Sequence, residues 1–143
     1  MINLASAFYD ALSNDATITA LLGTWNSNPS IHTRRPIPAD AGYPLIVISP
    51  DITVSDQDAL STFRPVIVKD IAVYGLQPND YRTVEALGLL LRNKFHRLRF
   101  ALTPPAGYKI IDIVALGPSI APTDDDKKLG RVVSLTVRVQ PTS

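Results

Sequence analysis

The order in which periodic segments succeed one another constrains this chain more than any single residue does. An amphipathic helix comes first, then a β-hairpin, a longer second helix and a second β-hairpin. Leu4, Ala5, Phe8 and Leu12 recur at helical spacing and predict a helix over residues 2–13. Asn14-Asp15 breaks it. Asp15 or Thr17 can cap a short further turn through Ile18, Leu21 and Leu22, with Gly23 as its left-handed stop. Leu45-Ile46-Val47-Ile48 opens the first strand behind Pro44, where a missing N–H does little harm. Ser55-Asp56-Gln57-Asp58 reads as the hairpin turn, and the second strand follows over residues 63–75. Asn79 or Asp80 is placed to accept the first free N–H groups of a helix over residues 80–99. Its apolar stripe is Val84, Leu87, Leu91, Phe95 and Leu98. Thr103-Pro104-Pro105 prevents continuation. The third strand is expected over residues 109–117 and the fourth over 131–140. In the fourth, Val133, Leu135, Val137 and Val139 alternate with Ser134, Thr136, Arg138 and Gln140. The expected fold class is α+β, a four-stranded, mainly antiparallel sheet with two main helices packed on one face.

The second strand breaks the alternation. Ile67, Ile71 and Val73 lie on one face, but Val66, Val68 and Tyr74 lie on the other. A strand apolar on both sides needs cover on both, and two helices on one face cannot supply it. Val66 and Val68 are therefore candidates for an intersubunit surface. Residues 24–43 read as an irregular arm with Pro29, Pro36, Pro38, Gly42 and the pair Arg34-Arg35. A loop of roughly 20 residues inside a domain is ordinarily functional. Its Arg34-Arg35 pair either pins to a neighbour or keeps a surface loop soluble.

With 143 residues the chain fits one domain, residues 1–143. Its 45% hydrophobic and 19% charged content is globular. There is no cysteine, which excludes disulfides and thiolate chemistry. The net charge is +1, from 14 basic and 13 acidic residues, against a phosphate-binding protein with a large basic excess. No secretion signal is visible at the start, and no apolar run approaches the ~20 residues of a membrane span. A soluble cytoplasmic protein, with no membrane contact, is expected.

No chemistry assembles in the sequence. Asp124-Asp125-Asp126 could attract a divalent cation, yet Lys127-Lys128 follows at once and no calcium-loop spacing is present. A solvated hairpin tip fits better; only in a ring of subunits could such a loop instead face the channel or a partner. The two histidines, His32 and His96, have no nucleophile beside them, and no Gly-x-Ser-x-Gly turn occurs. Asp56 and Asp58 suit turn chemistry. No glycine-rich phosphate loop is present. The basic cluster Arg92, Lys94, Arg97 and Arg99 complements the dipole at a helix C-terminus. It could also meet an acidic neighbour, such as the Asp124–Asp126 loop of an adjacent subunit. The expectation is a non-enzymatic protein with no catalytic, cofactor or metal site. The alternative is a small nucleic-acid-binding α/β module, against which no strand interleaves aromatic with basic residues.

Several segments resemble a known family. Phe8-Tyr9-Asp10-Ala11-Leu12 followed by Ile18-Thr19-Ala20-Leu21-Leu22-Gly23 is similar to the opening of phage tail-completion and tail-terminator proteins. Tyr43-Pro44-Leu45-Ile46-Val47-Ile48 resembles the Pro-led first strand of that family, and Asp70-Ile71-Ala72-Val73-Tyr74-Gly75 its second strand. The helix from Tyr81, with Val84-Glu85-Ala86-Leu87 and Leu91, resembles the helix that follows. The likeness covers roughly residues 5–100. It implies a structural virion protein that forms a homo-oligomeric ring, ordinarily a hexamer, at the head–tail junction. Such a ring terminates the tail tube, docks to the head-side connector and lets DNA pass through its lumen without specific binding. It implies no cofactor.

Overall fold

The structure is a computed structural model that describes residues 4–33, 37–49, 52–59, 62–121, 123 and 127–142; over 52–59 and 62–65 only the backbone is described. The first helix, α1, spans Ala5–Ser13, and a single turn, α2, spans Ala16–Thr19. Asp15 caps α2, its Oδ1 accepting the N–H groups of Thr17 at 3.0 Å and Ile18 at 3.3 Å. Three short strands follow, β1 (Thr24–Trp25), β2 (Asn28–Pro29) and β3 (Ile31–His32). Then come β4 (Leu45–Ile48), β5 (Ile52–Ala59) and the long β6 (Thr62–Leu76). The long helix α3 spans Tyr81–Phe95, a 3-10 turn occupies Arg99–Ala101, and β7 (Tyr108–Ile120) and β8 (Lys128–Pro141) complete the chain.

The α+β class holds, but the sheet is larger than four strands and mixed. Its order is β3-β4-β6-β8-β7, with β5 also paired to β6, and β1 and β2 form a separate two-stranded ribbon. All pairings are antiparallel except β3 with β4. β4 pairs with residues 71–74 of β6, and β5 pairs with residues 62–68. One edge of β6 is thus shared by two successive strands.

Both helices pack on one face. Leu4, Phe8 and Leu12 of the α1 region meet Val84, Leu87, Leu91 and Phe95 of α3 over Ile67, Ile71, Val73, Val133, Leu135, Val137 and Val139 of the sheet. The Phe8 and Phe95 rings join the helices edge to face, with centroids 5.1 Å apart. Lys69 occupies an inward position of β6 between Ile67 and Ile71 and is fully buried.

Four local expectations are corrected. Ser55–Asp58 is not a turn: it lies within β5, where Asp56 opposes Pro65 and Asp58 opposes Phe63. A strand that packs on one neighbour alone needs no apolar face, so its polar composition mimicked a loop. The Asp80 carboxylate does not cap α3; its Oδ2 turns back to accept the Leu76 N–H at 2.8 Å. The helix ends at Phe95, because His96 is extended and Arg97 takes a positive φ of 61°, which leaves Leu98 exposed. Gly23 is not left-handed. A Cβ there would lie 2.6 Å from the Gly42 carbonyl carbon, and one at Gly42 would lie 2.5 Å from the Thr24 oxygen. These two glycines let two backbone segments touch.

The arm at residues 24–43 is largely built into the molecule. Gly23 donates its N–H to the Pro44 carbonyl (2.8 Å), Gly42 to Thr24 (3.0 Å) and Ser30 to Gly23 (2.9 Å). β3 extends the sheet. Of its other described residues, Trp25, Ile37, Ala41 and Tyr43 pack with Leu45, Val47 and Tyr74 over the face opposite the helices.

Candidate assembly surfaces

Among the described residues, the face opposite the helices is covered at its β4 end and more open across β7. Strand register sets its rows. Val68, Thr136 and Val114 lie abreast on β6, β8 and β7; beside them run Asp70, Ser134 and Leu116, then Ala72, Val132 and Ser119. On the other side Val66 opposes Arg138, which opposes Asp112, and Lys109 opposes Gln140. The second small core shields the β4 end, where Tyr74 packs. Across β7 the cover stops, and Leu116 is 64% exposed. Val66, Val68, Val114 and Val132 are partly buried. The two-faced character of β6 thus has two outcomes: Tyr74 packs against the second small core, while Val66 and Val68 border a more open face on which Val114, Val132 and Leu116 mix with Asp70, Thr136, Ser134 and Arg138. Within it the Ser134 hydroxyl donates to Asp70 at 2.7 Å, so one carboxylate is held down on the sheet.

The sheet edges differ. β7 has α3 turned against its middle: the Ala115 N–H donates to His96 Nδ1 at 3.1 Å, and the Arg97 N–H donates to the Ile113 carbonyl at 2.8 Å. The Arg97 guanidinium pairs with Asp112 at 2.5 Å. Such cover blunts an edge against pairing with other chains. β5 is different. It pairs with β6 and makes only marginal contact with any other element, and beyond Val66, where the pairing of β6 with β8 stops, the two strands continue as a two-stranded arm.

The basic cluster is partly satisfied within the chain. Lys94 pairs with Asp15 at 3.0 Å and Arg97 with Asp112, whereas Arg92 and Arg99 form no ion pair among the described residues. Neither Lys94 nor Arg97 therefore needs the acidic loop of a neighbour. Arg99 lies 4.8 Å from the ring of Phe100, which is 87% exposed. A second exposed apolar group stands at the far end of β7. There Ile120, 78% exposed, opposes Arg131, whose guanidinium pairs with Glu85 and lies 6.0 Å from the Tyr81 ring.

Burial shifts the protonation of two titratable groups. Desolvation alone would raise the Asp15 carboxyl, but Lys94 and the Ile18 and Thr17 N–H groups outweigh it and hold its pKa below the ordinary carboxylate value. Burial pushes the His32 pKa down. Its Nε2 lies 2.9 Å from the buried Ser30 Oγ, and its ring centroid lies 5.6 Å from that of Trp25, whose Nε1–H donates to Asp40 at 3.0 Å. His32 and Trp25 are structural anchors of the arm.

Of the residues singled out by sequence, Val66, Val68, Arg92 and Arg97 stand at the surfaces described. Asp56 and Asp58 belong to β5. Arg34, Arg35, Asp124, Asp125 and Asp126 lie outside the described residues. Among the described residues no three His, Asp or Glu side chains gather as a metal set, and no helix is long and apolar enough to cross a membrane. Sequence reasoning passed over Leu116, Ile120 and Phe100, large apolar side chains whose exposure shows only once strand register and helix end are known.

No known protein family's sequence profile matches the chain, and no curated protein does. A solved structure does. A chain from the virion of a native gene transfer agent particle superposes with a TM-score of 0.76 over 96% of this chain and 95% of that one, at 18% identity. The two chains share a fold along essentially their whole lengths.

Proposed function

We propose that this chain is a structural virion protein of a phage-like particle, with no catalytic role. The observation that carries the reading is the near end-to-end likeness to a chain of a gene transfer agent virion. The finer assignment is a homo-oligomeric ring, ordinarily six-fold, at the head–tail junction. It terminates or completes the tail tube, offers a docking face to the head-side connector and lets DNA pass through its lumen. Localisation follows as virion, with assembly in the host cytoplasm. Three features support this: a half-open sheet face, a projecting two-stranded arm, and exposed Phe100 and Ile120 on separate parts of the surface. A closed ring buries such surfaces and leaves no free end.

The test is the solution mass across a concentration series, with negative-stain images and a binding assay on assembled tail tubes. A discrete ring with a central hole is expected, free or on tube ends. A 15.6 kDa monomer that also ignores tube ends would overturn the assignment.

A further inference from the structure

The most exposed large apolar side chain among the described residues is Phe100, at 87%. It does not sit on a loose end. Phe95 before it and Leu102 after it are buried in the core. Between them the Arg97 N–H donates to the Ile113 carbonyl at 2.8 Å, the Leu98 N–H to Phe95 at 3.1 Å and the Ala101 N–H to Leu98 at 2.9 Å. Arg97 holds a positive φ of 61°, a conformation that costs a non-glycine residue free energy. The fold accepts that strain and turns the chain outward. The result is a fixed 3-10 turn that presents Leu98, Arg99 and Phe100, with Arg99 lying 4.8 Å from the Phe100 ring. A rigid aromatic side chain beside an arginine is the kind of group that dominates protein interfaces, because little freedom is lost when it docks.

Charge narrows what this knob meets. Arg97 pairs with Asp112 and Lys94 with Asp15. That leaves Arg99, exposed on the turn, as a cation with no ion pair among the described residues. A lone cation beside an apolar ring fits an apolar surface that carries one carboxylate. The outward face of β6, β8 and β7 has that composition. Asp70, Ser134 and Leu116 lie abreast, with Val68 and Val114 in the row on one side and Val132 in the row on the other. Leu116 is 64% exposed. Asp70 is exposed, is fixed by the Ser134 hydroxyl at 2.7 Å and forms no ion pair among the described residues. Arg138, the cation of the same face, lies four residues along β8 from Ser134, about 13 Å at ~3.3 Å per residue. Within one copy Arg99 and Asp70 do not meet: the turn is tied to β7, and Asp70 lies two strands away on β6.

We propose that Phe100 of one copy seats on Leu116 and its valine neighbours on the next, with Arg99 paired to Asp70. The contact rests on the ring assignment above and supplies a head-to-tail interface for it, since knob and face are different surfaces of one chain. Charge selects a second copy as the occupant. Every copy brings one free cation on the knob and one free carboxylate on the face, in equal number. A nucleic acid would set its phosphates against Asp70, and the knob alone is too short a basic track for it.

Phe100→Ser tests the contact without touching the core, because the ring is exposed. This variant should keep the wild-type thermal midpoint and lose at least roughly tenfold in ring formation, read by solution mass and negative stain. Arg99→Asp should do the same, and Asp70→Arg in that chain should restore rings by exchanging the two charges. The contact is located by placing p-benzoylphenylalanine at position 100, mixing with isotope-labelled unmodified chain and irradiating. Cross-links between the two chains should fall within residues 114–116 and 132–134. Rings of Phe100→Ser as abundant as those of the unmodified chain overturn the proposal and leave the ring assignment standing. Normal rings of Phe100→Ser that no longer hold tube ends overturn it too, and assign Phe100 to the tube instead. An unmodified chain that stays monomeric and ignores tube ends removes the ring assignment, and this contact with it.

Discussion

The Ala115 backbone N–H donates to the Nδ1 of His96 at 3.1 Å, which ties the end of α3 to the outer edge of β7. An edge strand would otherwise present that N–H to any passing strand. His96→Ala removes the acceptor and should lower unfolding free energy by about 1 kcal/mol. It should also raise concentration-dependent light scattering. His96→Asn, which keeps an acceptor of shorter reach, should recover part of both. Equal urea midpoints for wild type and His96→Ala would show that the bond contributes nothing.

Gly23 and Gly42 are in backbone contact, and neither site has room for a methyl group. Gly23→Ala must push apart the segment that carries the Gly42 N–H bond to Thr24. Overpacking of this kind typically costs about 1–3 kcal/mol. The expected signature is a lower thermal midpoint with an early change in Trp25 fluorescence, because Trp25 is the only tryptophan and sits in the arm. A fully cooperative transition at the wild-type midpoint would contradict it.

Elements with strong periodicity were readable in advance. The stripe Val84, Leu87, Leu91 and Phe95 is buried as its spacing requires, and β8 alternates as its sequence does. Elements held by position rather than by pattern were not. β3 is two residues long and parallel to β4, so its place depends on the Gly23–Gly42 contact, which no local period encodes. β5 has polar residues because it packs on one neighbour, and polarity was mistaken for a turn. Lys69 is buried at an inward position where alternation predicts an aliphatic residue. Half of the candidate surface was visible in the two-faced strand β6. Its other half, on β7, needed the bulges between Ile110 and Asp112 and between Leu116 and Ser119 to set which residues face outward.

Asp15 both caps α2 and pairs with Lys94, so its two roles can be separated. Asp15→Asn keeps a capping oxygen and loses the ion pair; Asp15→Ala loses both. The cap is worth about 1 kcal/mol, and a partly exposed pair less than that. The folded carboxyl is depressed, so its stabilisation is present above the ordinary carboxylate value and disappears as pH falls through the folded one. Below pH ~4 the wild type should therefore lose stability faster than Asp15→Asn. Parallel acid-unfolding curves would remove the ion pair from the account.

His32 has the opposite charge logic and the same direction of response. Burial depresses its pKa, so the unfolded chain takes up a proton that the folded chain refuses. Stability is then full above the unfolded value near 6.5 and declines as pH falls towards the folded value. The slope for one proton is at most about 1.4 kcal/mol per pH unit. Asp40 joins this cluster through the Trp25 Nε1–H, and the His32 Nε2 faces the Ser30 hydroxyl. Protonation would also disturb the Ser30 contact and the Trp25 ring beside it, so the arm should open before the helical face does. Urea midpoints between pH 7.5 and 5, followed by tryptophan fluorescence and by far-UV circular dichroism, check this. The fluorescence midpoint should fall first, and His32→Gln should flatten its pH dependence. Coincident midpoints at every pH, with His32→Gln unchanged in slope, would show that the ring titrates alike in both states.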